Sequence, residues 1–144
     1  MPVKETLGLL TSENVERNGT PEREAALNLA REVARAADAK KAEDIVILDV
    51  SRTLGITDFF VICSARSRKQ VEVVAEACEL VADRLGYRTK PLDGKDSGWV
   101  VGDFVDVIVH VFEEDQRTFY DLEQLWADAP RVVWSPDPAP TTPS

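Results

Sequence analysis

His110 is the single histidine of the chain. A lone histidine makes a metal site only if thiols or carboxylates at ligand spacing join it, and none accompanies it here. It lies in the alternating run Asp106-Val107-Ile108-Val109-His110-Val111-Phe112, which gives it one strand face with Asp106, Ile108 and Phe112. Its ordinary reading is a satisfied or surface histidine; an interface contact comes next and catalysis last. Asp103 and Asp106 are the nearest approach to paired carboxylates. A nucleotide-transferring enzyme needs two carboxylates on one strand face, two residues apart, to hold magnesium. A spacing of three across an expected turn does not secure that geometry, and Asp49-Val50-Ser51 offers no second acid. Turn and surface carboxylates, or contact with a basic partner, account for these residues. Ser64, Arg66 and Ser67 lead into a helix start, a place suited to anions, but capping explains Ser67 and no glycine accompanies it. Cys63 and Cys78 are too few for a disulfide framework and read as buried thiols. No phosphate-cradling pattern occurs among the seven glycines.

The elements that position these residues follow from spacing. Thr20-Pro21 with Glu22 and Glu24 opens a helix, since Thr caps, Pro suits the first turn and acids favour the positive end of the dipole. Leu27, Ala30, Ala34 and Ala37, widened by Leu29, Val33 and Ala36, form its packing stripe. The nearly continuous apolar run 45–50 predicts a strand buried on both faces. After a turn at 54–57, a second strand covers 59–63. Ser67 and Gln70 make a capping box. The helix behind it carries Val71, Val74, Cys78, Val81 and Leu85 on one stripe and stops at Gly86. Strands are expected at 87–90, 99–101 and 105–112, with a turn near Gly102-Asp103 and a polar loop at 92–98. A last helix is expected at 115–128, with Phe119, Leu122, Leu125 and Trp126 on its apolar face, before 131–134 closes the fold. Helices interleaved with strands imply an α/β (α+β) domain, a mixed sheet of about five strands flanked by helices. Residues 1–19 read as a flexible leader, 20–134 as the folded domain, and 135–144, with four prolines, as a disordered tail.

The 144 residues suit one domain. A net charge of −9 disfavours direct nucleic-acid binding, which draws on Lys and Arg, and favours a basic protein surface as partner. Neither a signal peptide nor a membrane-spanning run is evident. A cytoplasmic protein is expected.

Three segments carry a family resemblance. Trp99-Val100-Val101, then the run 106–112, then Arg117-Thr118-Phe119-Tyr120-Asp121-Leu122-Glu123-Gln124-Leu125-Trp126 resemble the signature of the ribosomal silencing factor (Iojap-related) family. Upstream, Thr57-Asp58-Phe59-Phe60-Val61-Ile62-Cys63-Ser64, followed by Ser67 and Gln70, matches its first half. The resemblance covers about 24–134. It implies a nucleotidyltransferase-like fold without catalytic residues, no cofactor and no enzymatic activity. It also implies docking on large-subunit ribosomal protein uL-fourteen, steric block of subunit joining, repressed translation, and a homodimer when free. The sequence departs from the family at Val105, where a glycine is expected in the turn. The docking surface is expected on the 99–112 hairpin, the loop before it and the start of the last helix. Trp99, Phe104 and His110 would be its anchors, with Phe112, Arg117 and Tyr120 beside them. Asp93, Asp96, Asp103 and Asp106 would face the basic partner. Trp99 reads equally well as a core residue. The alternatives are a nucleotide-binding enzyme of the nucleotidyltransferase type, which rests on fold analogy alone, and an assembly factor for the large subunit.

Overall fold

The computed structural model describes residues 20–53 and 55–134; the leader and the proline-rich tail lie outside them. Helix α1 (Pro21–Ala39) is followed by strands β1 (Glu43–Asp49) and β2 (Phe59–Ala65) and helix α2 (Arg68–Arg84). Strands β3 (Trp99–Asp103) and β4 (Val107–Glu113), short helices α3 (Glu114–Tyr120) and α4 (Leu122–Leu125), and strand β5 (Arg131–Val132) complete the chain. The two long helices start as their sequences dictate. Thr20 Oγ1 accepts from the Arg23 N–H at 3.2 Å. Ser67 Oγ accepts from the Gln70 N–H at 3.1 Å, while Gln70 Oε1 accepts from the Arg66 N–H at 3.1 Å. Gly86, just beyond α2, takes φ 86°, the left-handed conformation that ends helices.

The sheet order is β3-β4-β2-β1-β5. β2 and β4 run parallel, from Phe59 opposite Val107 to Ala65 opposite Glu113, and the other neighbours are antiparallel. Every residue of β2 is buried. Side chains alternate across it as period two requires. Phe59, Val61, Cys63 and Ala65 join Val107, Val109 and Val111 under α1 and α2. Phe60 and Ile62 join Phe112, Leu48 and Val50 on the opposite face, against Ala129, Leu122 and Trp126. One face thus lies under two long helices and the other under a thin C-terminal segment. This is the expected α+β domain with a mixed five-strand sheet.

Three expected elements differ. The segment 87–90 is not a strand: its neighbourhood meets the β3 backbone through the Lys90 N–H to the Asp103 carbonyl and a bridge between Asp93 and Val101. Pro91, with no N–H, interrupts any ladder there; the fifth strand is β5 instead. The turn between β3 and β4 falls at 104–106, past Gly102. A Cβ on Gly102 would lie 2.9 Å from Val109 Cγ1 and 3.0 Å from the Phe104 ring, so that glycine serves close packing inside a strand rather than a turn. The left-handed position is Val105, φ 75°, whose N–H donates to Asp103 Oδ1 at 2.9 Å. The expected helix 115–128 starts at Glu114 and breaks at Asp121, φ 46°. Phe119 and Leu125, expected in its core face, are 78% and 73% exposed.

Candidate interaction surface

The side chains expected to act together divide among several places. Trp99, His110 and Tyr120 meet on the thinly covered sheet face. β3 and β4 place Trp99 opposite Phe112 and Val101 opposite His110, so Trp99 and His110 are diagonal neighbours on one face. The Trp99 indole N–H donates to His110 Nδ1 at 3.2 Å. The Trp99 ring stacks on Phe112 at 4.9 Å and meets Tyr120 at 4.6 Å, and Tyr120 meets Phe119 edge-on at 5.0 Å. Phe60 abuts His110 at 4.7 Å and Trp126 at 5.6 Å. A continuous aromatic surface results. Its outer members Phe119 and Tyr120 are exposed, Trp99 is half-buried, and Phe112 forms a buried floor.

His110 is 7% exposed, and burial pushes its imidazole down to about 4. It is therefore neutral at pH 7. Because Nδ1 accepts from Trp99, its proton resides on Nε2. That buried atom has no hydrogen-bond partner among the described residues.

Phe104 stands apart. It has no exposed surface and packs with Val107 and Val109 on the helix-covered face, so the expectation of an anchor there is corrected: a side chain sealed beneath two helices has no area to offer. Phe112, equally sealed, supports Trp99 and cannot itself touch a partner. Arg117 also turns inward. It forms a two-pronged ion pair with Glu123 (3.1 and 2.8 Å), and its Nη1 donates to the Asp44 carbonyl at 2.7 Å and to Ser64 Oγ at 2.8 Å. Arg117 thus ties α3, α4, β1 and β2 together, and its place in the expected docking set gives way to this structural role.

The four aspartates are not one cluster. Asp93 lies on the outer edge of β3, exposed, bridging Val101. Asp96, exposed at φ 74°, sits in the loop leading to Trp99. Asp103 and Asp106 occupy the far end of β3, about 13 Å from Trp99 at the rise of a strand. Asp103 pairs with Lys90 at 3.3 Å. Asp106 fixes the turn through its carbonyl, which accepts from the Asp58 and Phe59 N–H groups.

The phosphoryl-transfer alternative gains nothing from this arrangement. Burial raises the Asp49 carboxyl, but the Ser51 hydroxyl, Arg23 and the Ser51 N–H together hold it below its ordinary value. Asp49 is thus engaged with its own neighbours and not with Asp103 or Asp106. Among the described residues no three His, Cys, Asp or Glu side chains group so as to hold a metal ion. Ser67 is occupied as a cap, and Arg66 and Arg68 pair with Glu43 and Glu113. No described helix is long and apolar enough to cross a membrane.

Sequence reasoning missed the exposure of Phe119 and Leu125. Their three- and four-residue spacing with Leu122 and Trp126 is that of a core stripe, and nothing in spacing alone reports a break at Asp121.

Comparison with known proteins places this surface in context. The family described as "Ribosomal silencing factor during starvation" matches residues 23–143. The chain is 45% identical over 98 residues to the Ribosomal silencing factor RsfS of Bacillus subtilis, covering 67% of this chain and 83% of that one. A crystal structure from Bacillus halodurans, 41% identical, superposes with a TM-score of 0.61 over 71% of this chain and 94% of that one. One from Chromobacterium violaceum, 27% identical, superposes with a TM-score of 0.67 over 69% and 84%.

Proposed function

Since the chain belongs to the ribosomal silencing factor family, we propose that it docks on the large ribosomal subunit through protein uL-fourteen and sterically blocks subunit joining. Translation is repressed without any reaction at the site. The observation that carries this reading is the aromatic surface Trp99–Tyr120–Phe119, left open on a sheet face that the long helices do not cover. Exposed contiguous aromatics mark protein contacts, and tryptophan and tyrosine are enriched among the residues that dominate binding. Asp93 and Asp96 rim the same edge, and the net charge of −9 suits a basic partner. Asp103 and Asp106 stand apart from that rim at the far end of β3, where Lys90 pairs with Asp103. The edge of β3 is already occupied by 90–93, so the partner meets the face of the sheet rather than adding a strand. An interface of about 1,200–2,000 Å² suffices. When free, the chain pairs with a second copy, as the family resemblance implies.

Sucrose-gradient sedimentation with purified subunits tests the reading. Wild-type protein should co-migrate with free large subunits, be absent from joined ribosomes, and reduce joining when small subunits are added. Trp99→Ala should weaken binding by about 2 kcal/mol, some thirtyfold. Migration of the wild type only at the top of the gradient in gentle salt would sink the proposal.

A further inference from the structure

The docking surface contains one polar atom that the fold leaves unsatisfied. His110 Nε2 is buried without a partner among the described residues, although a buried polar group left so costs stability unless something else satisfies it. Its state is determined by its other nitrogen. Trp99 donates its indole N–H to Nδ1 at 3.2 Å, which leaves the neutral ring a donor at Nε2. The cover over this ring is slight. Phe60, Trp99 and Phe112 surround it, and the Trp126 ring lies on Phe60. The outer pieces, α3 and α4, contain no buried residue and meet at the left-handed Asp121.

We infer that the Nε2–H of His110 is a donor held ready for a neutral oxygen acceptor, a backbone carbonyl or side-chain amide on a loop of the docking partner, which reaches it as the C-terminal cover shifts. This rests on the docking reading and names the chemistry its partner must offer. An anionic acceptor fits poorly, because Asp96 and the net charge of −9 oppose it; a carbonyl flanked by basic side chains satisfies both the ring and the acidic rim. Trp99 acts in two ways here, as contact area and as the group that fixes the tautomer.

The test compares wild type, His110→Gln and His110→Leu for binding to purified large subunits, with thermal unfolding of each free protein and the imidazole ¹⁵N spectrum of the free wild type. Glutamine retains a donor amide near Nε2, whereas leucine retains only volume. His110→Leu should bind about tenfold or more weakly while unfolding near the wild-type temperature, because removal of the unsatisfied Nε2–H offsets the Trp99 indole N–H left without its acceptor. His110→Gln should stay within about threefold of wild type, well inside the range one hydrogen bond spans. The spectrum should show the Nε2–H tautomer. Wild-type binding matched by His110→Leu overturns the inference but leaves the docking reading standing. Loss with glutamine as deep as with leucine, in a variant that remains folded, overturns it too, as does the Nδ1–H tautomer. Absence of wild-type binding removes both readings at once. Should His110→Leu not fold, the glutamine variant and the spectrum decide.

Discussion

At the scale of single residues, Val105 and His110 are held against their own preferences. Val105 is β-branched and sits at φ 75°, where the side chain crowds the following carbonyl at a cost of about 1–2 kcal/mol. A glycine there relieves the crowding and gives back about 0.5–1 kcal/mol in unfolded-chain freedom. Val105→Gly should therefore stabilise the protein by about 0.5–1 kcal/mol, seen as a raised urea midpoint with unchanged slope; a lowered midpoint would show that the half-exposed valine side chain contributes more than the strain costs. The family resemblance already pointed to this position, since it implies a glycine there, whereas residue spacing placed the turn near Gly102-Asp103. His110 makes stability depend on pH. Its folded-state value of about 4 lies below the ordinary 6.5 because burial disfavours the cation. The unfolded chain therefore binds more protons between those values, and stability rises with pH across that window. It is fully present above about 6.5 and is lost as pH falls toward about 4, by on the order of 3 kcal/mol. Denaturation at pH 7 and pH 5 should show the fall in wild type and a much smaller one in His110→Leu; equal falls would show that other groups govern the window.

At the scale of elements, Arg117 determines whether the C-terminal cover stays in place. Its side chain is 12% exposed and that of its partner Glu123 24%. The Arg117 hydrogen bond holds the Glu123 carboxyl below its ordinary value, against the opposing effect of burial. Arg117→Ala should destabilise the protein by about 3 kcal/mol, because a mostly buried carboxylate loses its partner. Arg117→Lys should recover only part, since an ammonium cannot match the planar fork. Urea denaturation gives the first figure. Amide exchange should quicken in α4 in both variants, and unchanged exchange there would show that Leu122 and Trp126 suffice to hold the segment. The elements legible from sequence were those whose signals are local: the caps of α1 and α2, the β-branched and aromatic run of β2, and the period-two alternation of β4. The break at Asp121 was not, because the Phe119, Leu122, Leu125 and Trp126 spacing continues through it. Apolar spacing reports that side chains could share a face, not whether the fold supplies a surface for all of them. Here Leu122 and Trp126 reach the sheet while Phe119 and Leu125 remain outside.

At the scale of the whole molecule, the two thiols report on global integrity. Cys63 on β2 and Cys78 on α2 are sealed in the core between the sheet and the long helices, and burial pushes the Cys63 thiol up to about 12 and the Cys78 thiol higher than usual. Neither should react with a thiol reagent in the native state at pH 8. Labelling should follow the unfolded population as urea is added, since the thiolate is the reactive form, and prompt labelling in buffer would show that the helical layer opens locally. The candidate surface was only partly legible. Trp99, His110 and Tyr120 were identified by type and converge in space. Phe104 and Arg117 were identified by the same reasoning and are occupied elsewhere, because aromatic and cationic side chains serve cores and clamps as readily as interfaces. The parallel pairing of β2 with β4 has a consequence for how the protein is made. All seven residues of β2 are buried, yet the strand that flanks it in parallel lies beyond α2 and β3 in the chain. During synthesis the first hairpin emerges with one apolar edge bare, and it must wait in that condition until Val107–Glu113 has left the exit tunnel. Over that interval the nascent chain exposes the kind of unpaired apolar edge that favours aggregation.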